Sequence, residues 1–118
     1  AGVLFKTAGG PVVVCDRDHV VAVSGLPKKE ILERRISPAL EEMIEQRKPY
    51  IYERGSNRRF QPVEGVERCA SVQYPIVASG DVCGSIMFLA SDEDSEPSEA
   101  HEKLIQTAAG FLGRQMEE

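Results

Sequence analysis

Nowhere in this chain does an apolar run approach the roughly 20 residues needed to cross a bilayer. No charged-then-apolar leader precedes a cleavage site, so neither a spanning segment nor a secretory signal is expected. Basic charge is also scarce: 14 Lys and Arg stand against 19 Asp and Glu, for a net charge of −5. A face that neutralises phosphates needs the opposite balance, which argues against nucleic-acid binding by this stretch alone. Histidine is limited to His19 and His101, and no base lies beside a serine or cysteine in a recognised catalytic pattern. The chain lacks a GxSxG elbow, a Walker loop, an HExxH pair and paired CxxC motifs. Gly9-Gly10 has no preceding strand that would make it a phosphate loop. No metal site and no cofactor are expected. The acidic run Ser91 to Glu96 lacks the glycine-pivoted loop of a calcium site.

Cysteine is the next shortage. Cys15, Cys69 and Cys83 cannot all pair, and their flanks read as strand. They are expected to be small buried hydrophobes in a reducing compartment, with the cytoplasm as default. The 118 residues, 42 % of them hydrophobic, suffice for a single domain with one core.

From Pro11 the chain turns β-branched. PVVVC and HVVAVS flank Asp16-Arg17-Asp18 and predict a hairpin closed by Gly25 and Pro27. The spacing of Ile31, Leu32 and Ile36 predicts a helix over 28–35. Ser37-Pro38 restarts a second helix, with serine as cap, proline at the first helical position and Glu41 and Glu42 in the early turns. Leu40, Met43 and Ile44 form its buried stripe, and Pro49 ends it. Tyr50 to Tyr52 predicts a short strand. Residues 53–68 have no period and predict a long loop of functional length.

CASVQYPIVAS and VCGSIMFLA flank Gly80-Asp81 and predict a longer hairpin. Alternation places Val82, Gly84, Ile86 and Phe88 on one face and Cys83, Ser85, Met87 and Leu89 on the other. Neither set is polar enough for water, so both faces should be covered. The order predicts α+β architecture: a central antiparallel sheet of five to six strands with flanking helices, as in small sensory domains of the GAF and PAS type.

The final helix, from Pro97 to Met116, has apolar positions at helical spacing: Leu104, Ile105, Ala108, Phe111, Leu112 and Met116. Ala109, Gly110 and Gly113 lie beside them. Interior helical glycines cost roughly 1 kcal/mol each, a cost that close approach of a neighbour could offset. That neighbour is either a second copy of the chain or the chain's own sheet. In the long loop, Arg58, Arg59 and Arg68 offer fork-shaped donors for a carboxylate or phosphate, with Phe60 as an apolar lid. The alternative is that the arginines are solvated and balanced by neighbouring glutamates, and that Phe60 anchors the loop to the core.

The closing run AAGFLGRQMEE, the hairpin VVVCDRDHVVAVSG, the segment KKE then ISPALEEMIEQR, and YPIVASGD together resemble the C-terminal part of the stage V sporulation protein T family. These are AbrB-like transcriptional regulators of spore-forming bacteria. The resemblance spans most of residues 11–118 and is weakest over 53–68. It implies a GAF-like regulatory domain over 1–118, with residues 1–8 as the tail of a first helix and the family's N-terminal DNA-binding domain absent. It further implies homo-oligomers, dimers and tetramers, with Val3, Leu4, Leu104, Ile105, Ala108, Phe111, Leu112 and Met116 at the contact, and a small-molecule ligand as an open question. An alternative is a GAF-fold thiol enzyme of the free methionine sulfoxide reductase type, which would need an exposed, low-pKa cysteine.

Overall fold

The computed structural model describes residues 11–53, 60–90 and 97–116. The expected contact residues Val3 and Leu4, the loop arginines Arg58 and Arg59, and the side chain of Met116 lie outside the described residues. Strands β1 (Val12–Cys15), β2 (Val20–Ser24), β3 (Tyr50–Ile51), β4 (Ala70–Ala78) and β5 (Asp81–Leu89) form one antiparallel sheet. Its spatial order is β2-β1-β5-β4-β3. Helices α1 (Lys28–Ile31) and α2 (Pro38–Gln46) cover one face, and α3 (Glu99–Met116) covers the other.

The β1–β2 turn is closed by Asp16, whose Oδ1 accepts from the amides of Asp18 and His19, each at 2.7 Å. Burial alone would raise this carboxyl's pKa. The two amides and the nearby His19 charge outweigh it and hold Asp16 below the ordinary carboxylate range. The β4–β5 turn uses Ser79 and Gly80, both at positive φ, matching the twist of the strands it joins.

The helix expected over 28–35 stops after a single turn. Leu32 is extended and Glu33 takes φ 68°. The reason lies in the edge of β2, where unpaired backbone must find partners. Val20 N donates to Arg34 O at 2.9 Å, Glu33 N to Val20 O at 3.0 Å, and Ile36 N to Asp18 O at 3.0 Å. Edge pairing outweighs helical propensity. The second helix follows its sequence signals: Ser37 Oγ accepts from Leu40 N at 3.3 Å, Pro38 opens the helix, and Arg47 ends it at φ 57°.

Two hydrophobic clusters sandwich the sheet. Val13, Cys15, Met87 and Leu89 pack with Ile31, Leu40 and Ile44 from α1 and α2. Val12, Val72, Ile76, Ile86 and Phe88 pack with Ile105 and Ala109 from α3. Val82 departs from simple alternation and packs with the α2-side cluster, away from Ile86 and Phe88. Gly84 pairs with Ile76 but Val82 pairs with Val77, so β5 holds one extra residue, Cys83. That bulge reverses the facing of every residue before it. Within the sheet, buried Gln73 donates through Nε2 to Ser85 Oγ at 2.7 Å, and Ser85 donates to Tyr74 O at 3.2 Å.

Candidate functional site

The second half of the long loop is stitched to the segment that replaces the expected helix. Ser37 N donates to Pro62 O at 2.8 Å, Glu64 N to Arg35 O at 3.0 Å, and Ile36 bridges Val63. Phe60 turns its ring toward the core. Its ring meets Tyr50 edge-on, with centroids 4.9 Å apart, and it packs beside Tyr52 and Ala70. Phe60 anchors the loop to the core.

Arg68 lies elsewhere, on a cleft of about 300 Å³ between α1 and the loop. Leu26, Pro27, Ile31 and Val66 form its apolar wall, and Glu30, Arg34 and Arg68 bring charge. The Arg34 side chain bridges the two elements, donating to the backbone carbonyls of Glu30 and Glu64. Gly65, at φ +81°, lets the loop pass under it: a Cβ there would sit 2.4 Å from the guanidinium. Sequence reading placed Arg34 on a helix and found no signal in it. Its role appears only once α1 stops short and the chain folds back along β2.

On α3, the apolar flank is largely covered by the chain's own sheet. Ile105 is fully buried and Ala109 nearly so, while Leu104, Ala108 and Leu112 pack partly against the same cluster. Gly113 allows the helix to touch β4, since a Cβ there would stand 2.2 Å from Val77 O. Tyr74 hydrogen-bonds Glu102, and burial, the Glu102 charge and that bond together raise the phenol's pKa. His101 packs its ring 5.3 Å from Phe88. Phe111 stands apart, 41 % exposed, with exposed Gly110 before it.

Cys15 is buried, and desolvation pushes its pKa from 9.0 up to about 12, against a backbone bond from Ser85 and aided by the Asp16 charge. Cys69 and Cys83 are half-buried, more open than their flanks suggested, and all three are unpaired. Among the described residues no hydrogen bond joins a cysteine to a histidine. Asp16, Asp18 and His19 each bring a ligand atom within 4.8 Å of the others. Asp16 Oδ1 is already committed to two amides, so turn closure accounts for that grouping. Among the described residues no helix is long and apolar enough to cross a membrane.

The sheet order, the covered faces and the loop packed beside α1 define a GAF-like α+β domain. The fold is shared with a solved structure, the GAF domain/HD domain protein from Geobacter sulfurreducens. The TM-score is 0.61 at 18 % identity, with 98 % of this chain and 87 % of that chain covered. The particular family follows from sequence. Residues 1–117 match the family described as stage V sporulation protein T C-terminal, transcription factor, and the chain belongs to it. It is 37 % identical over 120 residues to stage V sporulation protein T of Bacillus subtilis (strain 168). That alignment covers 100 % of this chain and 65 % of the relative, so the chain spans just under two thirds of the relative's length.

Proposed function

We propose that this chain is the non-catalytic regulatory and assembly module of a cytoplasmic sporulation transcription factor. An attached DNA-binding domain would contact the operator, and this GAF-like domain would set how copies of it are arranged. Membership of a transcription-factor family supports the regulatory part. The single structural observation behind assembly is Phe111, a large apolar side chain left exposed on a helix whose inward face packs on the sheet. Leu104, Ala108 and Leu112, partly covered by the sheet, would form the margin of the contact, and Val3, Leu4 and Met116 would extend it. A small molecule would act by binding one arrangement of the assembly better than another, which is how any effector shifts a population.

Sedimentation equilibrium of the 118-residue chain tests this directly. The expected result is a concentration-dependent dimer, weakened by about 2–4 kcal/mol in Phe111→Glu, the range of a buried hot-spot side chain. A wild-type chain that stays monomeric at high micromolar concentration would remove the assembly part of the reading.

A further inference from the structure

Beyond the family role, the cleft between α1 and the loop combines charged groups with an apolar wall. Its charge is unbalanced: Arg34 and Arg68 contribute two positive groups and Glu30 one negative group. Among the described residues neither arginine makes an ion pair. Arg34, though exposed, is oriented by two backbone carbonyls, one from each wall, that accept its N–H groups. A guanidinium oriented in this way loses little freedom when a ligand arrives, and its remaining N–H groups are available to an oxyanion. Arg68 is exposed at the rim and free to close on the same oxyanion.

The rest of the cleft is apolar. Leu26, Pro27, Ile31 and Val66 give it a wall that a phosphate or sulfate would leave unused. The Glu30 carboxylate also disfavours a multiply charged anion, since two arginines against one glutamate leave a single positive charge to neutralise. A volume of about 300 Å³ is at the lower end for small-molecule sites. We propose that this cleft binds a small organic monocarboxylate with an apolar tail, its carboxylate between Arg34 and Arg68 and its tail along Leu26, Ile31 and Val66. What such a ligand would be for rests on the sensing reading above, whereas its binding can be measured without it.

The test is a ¹H–¹⁵N correlation titration of the 118-residue chain with hexanoate, using hexan-1-ol and inorganic phosphate as comparators. Hexanoate should give saturable shifts clustered at the amides of Leu26, 28–31 and 64–68. Hexan-1-ol, which lacks the charge, and phosphate, which lacks the tail, should each bind at least about tenfold more weakly. Arg68→Gln and Arg34→Lys should each reduce hexanoate affinity about tenfold, the latter because lysine keeps the charge but not the fork. Should Arg34→Lys lose its native spectrum, Arg68→Gln on the exposed rim decides alone. Dispersed or non-saturating shifts, phosphate binding as tightly as hexanoate, or unchanged affinity in Arg68→Gln would overturn the proposal. Hexanoate binding that leaves sedimentation unaltered would uphold the cleft and count against sensing through assembly. Absent binding, with assembly still broken by Phe111→Glu, would do the reverse.

Discussion

At the scale of single residues, two titratable groups tie the hairpin β1–β2 to pH in opposite directions. The Cys15 thiol keeps its proton in the folded chain up to about pH 12 but would lose it near 9.0 when unfolded. The native state therefore binds the extra proton in between, and stability falls as pH rises through that window, by up to about 1.4 kcal/mol per pH unit from this one group. Cys15→Ala lacks this liability. Urea unfolding of both proteins at about pH 8 and about pH 10.5 should show the wild-type advantage shrinking at the alkaline value; a constant gap would mean the thiol is not buried as described. Asp16 works the other way. Its folded pKa lies below the ordinary 3.8, so its contribution is present above that value and is lost as pH falls through the lower folded one. Asp16→Ala removes an acceptor of two amides and should cost about 1–2 kcal/mol at neutral pH. In acid the difference from wild type should diminish, which thermal melts across the pH range would record.

Among the elements, α3 shows how two glycines of one helix can have unrelated roles. Gly113 is where the helix backbone rides against Val77 of β4, and any Cβ would collide with that carbonyl at 2.2 Å. Gly110 faces outward, and a Cβ there would meet little besides the Arg114 guanidinium at 3.6 Å. Gly113→Ala should destabilise by about 1–3 kcal/mol, the usual cost of forced overpacking. Gly110→Ala should stabilise by up to about 1 kcal/mol through helix propensity alone. Chemical denaturation of the two variants gives opposite signs if α3 lies on the sheet as described, and equal signs if it does not. The bulge at Cys83 belongs to the same scale. One inserted residue moves Val82 to the α2 side, where it packs beside a cluster it would otherwise miss.

For the whole molecule, the sheet is closed on one face by α1, α2 and the loop, and on the other by α3. Surface for assembly is thus narrower than the apolar count of the last helix suggests. Phe111 and Leu112 would separate packing on the sheet from the proposed assembly. Leu112 packs partly on the sheet, so Leu112→Glu should lower both the melting temperature and association. Phe111 projects outward, so Phe111→Glu should weaken association while shifting the monomer's melting temperature little. Calorimetry beside sedimentation distinguishes them; a large loss of monomer stability in Phe111→Glu would place that ring in the core.

What local sequence determined was each element governed by neighbours in the chain: the hairpin turns, the Ser37-Pro38 helix start, the covered faces of the long hairpin and the amphipathic closing helix. These depend on spacing and on short-range backbone chemistry, which a linear text records. The truncation of α1, the bulge that turns Val82, the seating of Gly113 under Val77 and the placing of Arg34 and Arg68 on one cleft were decided only in three dimensions. For α1 the edge of β2 demanded partners, and satisfying its backbone groups outweighs the modest propensity of any single residue; the other three depend on strand register and on the approach of segments far apart in the chain.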